Sequence, residues 1–256
     1  MWTKADVRRP STWLLLALSA LAWLALWLWG QSPYSRFLSH HALEQAVQNL
    51  ALAPLFVLSW VVMTTAMMLP TSLPLIGLFQ RMIGARRGAA GLIAWLLAGY
   101  LLAWTVFGAV LYAGDWGLHR LVEAVPALAE RAWTLSALTL LAAGLYQFTP
   151  LKYHCLDKCR SPLSFIAGHW QGRHPGREAL RLGLHHGLFC VGCCWSLMLV
   201  MFAVGAGSLG WMLALGAVMA AEKNAPWGRR LALPLGVVLL LAGAGLLAAG
   251  APAHHH

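Results

Sequence analysis

The sequence predicts an all-α protein, a polytopic bundle of about seven (six or seven) transmembrane helices with its N-terminus in the cytoplasm and its C-terminus outside. Of its 256 residues, 60% are hydrophobic and 10% are charged, whereas a typical soluble domain has about 25% charged residues. The apolar residues occur in long runs, as a hydrocarbon core about 30 Å thick requires of a helix that crosses it. Basic residues gather in alternate loops between these runs, which sets the orientation.

Seven apolar segments follow one another along the chain, and we predict that they form a single transmembrane domain, residues 1–256, without a separate soluble unit. The sixth segment is short, and the turn Gly205-Ala206-Gly207-Ser208 joins it to the fifth, so the two form a helical hairpin. One sizeable loop, the basic segment 150–184, lies on the cytoplasmic side. The predicted spans are 12–29, 50–69, 89–112, 132–149, 185–204, 209–222 and 231–249.

The distribution of Lys and Arg indicates which loops face the cytoplasm. Fifteen of the 18 basic residues precede the first span or lie in the loops after the second, fourth and sixth spans, and only Arg36, Arg120 and Arg131 lie on the other side. Short loops rich in Lys and Arg remain in the cytoplasm. The net charge of +10 therefore fits a multi-pass protein of a bacterial inner membrane, and we expect no nucleic-acid partner.

The fifth span begins with closely spaced metal-binding side chains. At about 100° per residue, His186, Cys190, Cys193 and Cys194 fall on one face of a helix. Thiolates and imidazole form a soft ligand set that suits Cu(I), Zn²⁺ or an iron–sulfur cluster. Because one helix cannot enclose an ion with all of them, other helices must contribute to this primary metal site.

A plain structural role for these cysteines is the alternative, because free Cys is among the most buried residue types and packs as a small hydrophobe. Three thiols within five positions after a His pair favour ligand or redox duty. A structural disulfide is not expected, because thiols on the cytoplasmic side stay reduced.

Two methionines of the second span, Met63 and Met67, share a face and lie in its cytoplasmic half, at the depth of the cysteines. Thioethers select Cu(I), although Met is also a common filler of irregular cores. We predict that Met63 and Met67 complete the metal site. Pro70 and Pro74 break the helix here and free backbone carbonyls.

A second set of ligands lies in the cytoplasmic loop. His154, Cys155 and Cys159 occur within six residues, and His169 and His174 follow. A helical turn would bring both sulfur atoms to one side. We predict a second metal site, or a site through which the ion enters, at His154, Cys155 and Cys159; solvated loop residues are the alternative.

Three polar residues end helices at the same membrane depth. Glu222 closes the sixth span, where it could be a carboxylate beside the cysteines or part of an ion pair at the helix end. Tyr146 and Gln147 close the fourth span. We predict that Glu222, Gln147 and Tyr146 surround the ligands and orient them.

Five motifs lie between residues 50 and 230: Met63-x₃-Met67-Met68-Leu69-Pro70, Thr149-Pro150-Leu151-Lys152, Cys155-x₃-Cys159-Arg160-Ser161-Pro162, Gly183-x₂-His186-Gly187-x₂-Cys190-x₂-Cys193-Cys194-Trp195 and Glu222-Lys223. Together they resemble an uncharacterised bacterial family, the domain of unknown function 2182, described as predicted metal-binding integral membrane proteins. The resemblance implies a membrane metal protein and adds little about its reaction.

These residues together predict copper handling, either transport or delivery to a membrane cuproenzyme, with Cu(I) favoured over zinc or an iron–sulfur cluster. The expected partners are the lipid bilayer, the metal ion and a membrane cuproenzyme or metallochaperone. Two alternatives stay open: a membrane oxidoreductase that depends on the metal or the thiols, and a structural or assembly subunit whose cysteines only pack. The sequence leaves open whether the protein is an enzyme.

Overall fold

The computed structural model describes residues 10–31, 53–84, 86–124, 133–204 and 209–250, and in these ranges the chain is helical with no β-strand. Two 3₁₀ turns, Pro70–Ser72 and Gly228–Leu231, lie between helices. The α-helices in chain order are α1 Pro10–Gln31, α2 Ala53–Met67, α3 Leu73–Ile83, α4 Ala89–Ala124, α5 Trp133–Tyr146, α6 Pro150–Arg160, α7 Pro162–His169, α8 Pro175–Val204, α9 Leu209–Asn224 and α10 Ala232–Ala249.

Proline sets where several of these helices begin. Pro150, Pro162 and Pro175 each open a helix, where a missing N–H costs nothing because the first turn has no partner for it. Thr149 caps α6, and its hydroxyl accepts a hydrogen bond from the backbone N–H of Lys152. Gly84 ends α3 with a positive φ of 61°, a conformation that favours glycine.

The break predicted at Pro70 is confirmed. Helix α2 ends at Met67, and α3 continues after the 3₁₀ turn at an angle of 47° to it. The freed carbonyl of Met68 accepts hydrogen bonds from the hydroxyls of Thr71 (2.7 Å) and Tyr100 (3.3 Å). Pro74, by contrast, lies in the first turn of α3 and causes no further break.

Helix α8 lies at the centre of the fold, packed along α4 and also against α5 and α6. Glycines allow the close crossing of α4 and α8: a β-carbon at Gly99 would lie 2.1 Å from the carbonyl oxygen of Leu180, and one at Gly183 would lie 1.9 Å from that of Leu96. Small residues that let two backbones approach are typical of packed membrane helices.

Three of the described helices are long and apolar enough to cross a membrane: Ala89–Val122, Pro175–Met201 and Gly228–Ala249. The count rises to four if the bent pair Phe56–Met67 and Pro70–Ile83 forms one span. The seven spans and the orientation of the termini therefore stay predictions. The predicted turn at 205–208 and both chain ends lie outside the described residues.

Two helices extend well beyond their predicted apolar spans. Helix α8 begins at Pro175, ten residues before the predicted start at 185, and α4 continues to Ala124 instead of ending at 112. The predicted cytoplasmic loop 150–184 is itself largely helical, since it contains α6, α7 and the start of α8. Hydropathy marks only the apolar part of a helix, whereas charged residues such as Arg177 and Arg181 are good helix formers.

Candidate metal centre

The predicted stripe on α8 is fully enclosed by the protein. Cys190, Cys193 and Cys194 have no exposed surface, and His186 is 4% exposed. Because these residues recur at helical spacing, they share the side of α8 that faces the other helices. All five cysteines of the chain are free thiols.

Sulfur atoms from two helices meet beside this stripe. The sulfur of Cys193 lies 3.4 Å from that of Cys194 and 3.9 Å from that of Cys159 on α6. The thiol of Cys193 also donates a hydrogen bond to the backbone carbonyl of Cys190 at 3.2 Å. We call these four residues, Cys159, Cys190, Cys193 and Cys194, the thiol cluster.

Cys159, which the sequence assigns to the second metal site, belongs to the thiol cluster. The two predicted ligand sets therefore meet at this residue. Cys155 is buried one turn before it, in contact with α8 where Gly192 leaves room: a β-carbon at Gly192 would lie 2.6 Å from the Cys155 sulfur. Burial raises the pKa of the Cys155 thiol, so this thiol stays protonated at neutral pH. His154 is exposed and packs against the ring of Phe189.

His186 offers one ring nitrogen without a partner. Its Nε2 lies 3.3 Å from the hydroxyl oxygen of Ser72, and its ring stacks on Tyr100. Its Nδ1 is buried and has no hydrogen-bond partner among the described residues. A buried polar atom without a partner is uncommon, and a ligand is one explanation for it.

Met63 and Met67 of α2 are buried, and so is Met68, which follows α2 directly. Its Sδ is 3.8 Å from the ammonium of Lys223. Met67 is directed toward Gly216 of α9, where a β-carbon would lie 3.4 Å from its terminal methyl group. Met63 is 7% exposed within the core.

A buried lysine beside the thiols was not predicted from the sequence. The ammonium of Lys223 lies 2.8 Å from the sulfur of Cys190 and 3.2 Å from the hydroxyl of Thr71. The hydroxyl of Tyr100 lies 3.1 Å from the same sulfur. Lys223 is only 6% exposed, and a buried ammonium requires a negative or polar partner. The sequence offered one signal, the position of Lys223 directly after Glu222 at the end of an apolar helix.

The residues predicted to surround the ligands form a second polar layer. The carboxylate of Glu222 forms an ion pair with the ammonium of Lys152 at 2.9 Å, and both side chains are almost completely buried. Lys152 also donates to the side-chain oxygen of Gln147, whose amide donates to Ser196. The hydroxyl of Tyr146 donates to the carbonyl of Gly192 at 2.5 Å. These bonds connect α5, α6 and α9 with the backbone and side chains of α8.

No group of three or more His, Cys, Asp or Glu side chains in the described ranges is already arranged to hold a metal ion. The sulfur separations are nonetheless near those of a metal thiolate pair. Two thiolates on a tetrahedral ion with bonds of about 2.3 Å lie roughly 3.8 Å apart, and Cys159 and Cys193 lie 3.9 Å apart.

A family model described as PpoB2, copper chaperone, matches residues 57–246. The chain belongs to this family. The match runs from within α2 through most of α10 and includes every residue of the thiol cluster. Membership in this family supports the prediction of copper handling and of copper as the metal. The name of this family differs from that of the family that the sequence motifs resemble. No curated protein and no solved structure matches the chain.

Proposed function

We propose that this protein is a membrane-embedded copper chaperone that holds Cu(I) on its thiol cluster and delivers the ion to a cuproenzyme. The proposal rests on one observation: cysteine sulfur atoms from α6 and α8 lie close together in the protein interior. The chain also belongs to the copper chaperone family. Thiolates are soft ligands and select Cu(I) over harder cations.

Cys159, Cys193 and Cys194 supply the principal ligands, with Cys190 and His186 as neighbours to which the ion can move. The ring of His186 is one helical turn before Cys190, and its free Nδ1 is a ready soft-metal ligand. Cu(I) accepts two or three ligands, so an ion can pass between adjacent sulfur pairs without the protein closing a four-ligand site. Met68 adds a thioether 3.8 Å from the ammonium of Lys223, which contacts the Cys190 sulfur.

The proposed location is a bacterial cytoplasmic membrane. Support comes from the three or four helices of membrane-crossing length and from the exposed apolar side chains that they carry outward, such as Val110 and Leu241, which are 61% and 67% exposed. An apolar surface of this kind needs a lipid or protein cover. The distribution of Lys and Arg supports a position of the thiol cluster in the inner half of the bilayer.

The test is a Cu(I) titration of the purified protein against a competing chromophoric chelator, without the C-terminal residues His254, His255 and His256, which bind metal by themselves. We expect tight Cu(I) binding that falls at least tenfold in Cys193→Ser and Cys159→Ser. Met212→Leu removes a buried sulfur of α9 outside the cluster and should bind as the unsubstituted protein does. Equal affinity in all four proteins would overturn the proposal.

A further inference from the structure

A cavity of about 560 Å³ opens between the end of α7 and the first turns of α8. Its volume falls in the range of sites for small molecules, about 300–1,000 Å³. Arg177, Arg181 and His185 line it from successive turns of one face of α8, and Arg173 and His169 line it from the preceding segment. We call it the arginine cavity.

The arginine cavity has a net positive charge, because its three guanidinium groups outnumber its one carboxylate. Glu178 is its acidic residue, but the two carboxylate oxygens of Glu178 accept four backbone N–H groups, those of residues 171–174, at 2.6–2.9 Å. In the described part of the chain, Arg173, Arg177 and Arg181 form no ion pair with a carboxylate. Three guanidinium groups around one cavity attract an anion with carboxylate or phosphate groups.

Two imidazole rings lie at the inner side of the arginine cavity. The ring centres of His169 and His185 are 4.9 Å apart. The Nδ1 of His169 bonds to the carbonyl of Phe165 at 2.8 Å, which leaves its Nε2 free. The Nδ1 of His185 is buried and has no hydrogen-bond partner among the described residues. When two imidazoles bind one metal ion through metal–nitrogen bonds of about 2.1 Å, their ring centres lie about 5 Å apart.

His169 and His185 lie next to residues that contact or precede the thiol cluster. His186 follows His185 directly, and the ring of Phe165 packs against both His169 (4.5 Å between centres) and His186 (5.7 Å). Cys190 lies one turn deeper on α8, about 6 Å along the axis from His186. Arginine, histidine and cysteine thus follow one another along α8 from the cavity into the core.

A bare cation is a poor ligand for a cavity with three guanidinium groups, whereas a cation inside an anionic complex is a good one. We propose that the arginine cavity receives Cu(I) bound to a small anionic thiol carrier with free carboxylates, and that His169 and His185 are the first protein ligands of the ion. This inference rests on the proposed function, because it supplies the thiol cluster with its ion.

The transfer is a ligand exchange without redox change. The copper–sulfur bonds of the carrier break as copper–nitrogen bonds to His169 and His185 form, and the carrier leaves as a thiolate. The copper–nitrogen bonds then break as copper–sulfur bonds to the cysteines form, and the displaced thiol protons pass through solvent to the carrier thiolate that has left. Copper stays Cu(I) throughout, and the charges balance.

The test compares two donors that share one thiol: Cu(I) bound to reduced glutathione and Cu(I) bound to glutathione diethyl ester, which lacks free carboxylates. The initial rate of copper transfer and the final copper content are measured for each donor. We expect the protein to take copper at least tenfold faster from glutathione, a preference that 0.5 M salt reduces. The double variant Arg177→Gln with Arg181→Gln should lose this preference and keep its final copper content.

Matched variants separate charge from coordination. Arg86→Gln removes an exposed arginine outside the arginine cavity and should keep the preference. His185→Gln should slow transfer from both donors by a similar factor. Equal wild-type rates with the two donors, or equal slowing of both donors by the arginine variant, would overturn this inference alone. A protein that takes up no copper from either donor would contradict the proposed function as well.

Discussion

At the scale of single residues, the ion pair between Lys152 and Glu222 is the polar contact that most directly positions the helices around the thiol cluster. Lys152 is on α6, which carries Cys159, and Glu222 ends α9, where Lys223 meets Cys190. The main-chain carbonyl of Glu222 also accepts from Arg160, the residue after Cys159. The ion pair therefore holds α6 and α9 in the positions that bring their side chains to the cluster.

Removing one partner of this ion pair should destabilise the protein strongly. Glu222→Gln leaves a buried ammonium without its countercharge, and breaking such a pair costs about 3–5 kcal/mol. Lys152→Met should cost a similar amount, whereas the double variant should cost clearly less than the sum of the two. The measurement is the free energy of unfolding in detergent micelles, with Lys158→Met, an exposed lysine of α6, as the control. Additive losses would show that the pair has no coupling.

The residues of the site differ in how far the sequence could predict them. The stripe of His186, Cys190, Cys193 and Cys194 follows from helical spacing alone, because all four lie on α8. The meeting of Cys159 with Cys193 depends on how α6 packs against α8, and the contact of Lys223 with Cys190 depends on where α9 ends. Both contacts depend on tertiary packing, and the sequence pattern gives no distance between helices.

Close packing of α4 on α8 is the feature that matters most at the scale of helices. Gly99, Gly183 and Gly187 lie where the two backbones cross, and their missing side chains let the helices approach. The sequence predicted both helices from their apolar runs, and both helices extend beyond those runs. Helix propensity and capping decide a boundary, and neither depends on hydropathy.

Two glycines of α4 provide a matched test of this crossing. In Gly99→Ala the new β-carbon would meet the Leu180 carbonyl, so we expect a loss of about 1–3 kcal/mol or more from forced separation of the helices. Gly91→Ala, on the same helix, adds a methyl group with no atom within 4 Å. It should be neutral or stabilising by about 0.5–1 kcal/mol, because alanine is the better helix former. Thermal unfolding of both variants in the same detergent checks the prediction, which equal losses would contradict.

At the scale of the whole molecule, the exposed apolar side chains of α4 and the arginines near its ends bear on whether this helix crosses a membrane. Leu102, Val106 and Val110 form an exposed apolar stripe along α4, and arginines lie near both ends of this helix, Arg86 just before it and Arg120 in its last turns. The 31 helical steps from Ala89 to Arg120 correspond to about 47 Å at 1.5 Å per residue, more than the hydrocarbon core of about 30 Å. If α4 crosses the bilayer, Arg86 and Arg120 face opposite compartments.

Single cysteine substitutions at these two arginines test the predicted orientation. With a maleimide that does not cross membranes, we expect Arg86→Cys to be labelled in inside-out vesicles and Arg120→Cys in right-side-out vesicles, since the Lys- and Arg-rich side stays in the cytoplasm. The unsubstituted protein gives the background, which should be low because its thiols are buried except for the half-buried Cys159. Labelling of both cysteines from the same side would mean that α4 does not cross. Labelling with the two sides exchanged would place the arginine cavity and the thiol cluster toward the outer compartment, and copper would then be received from there.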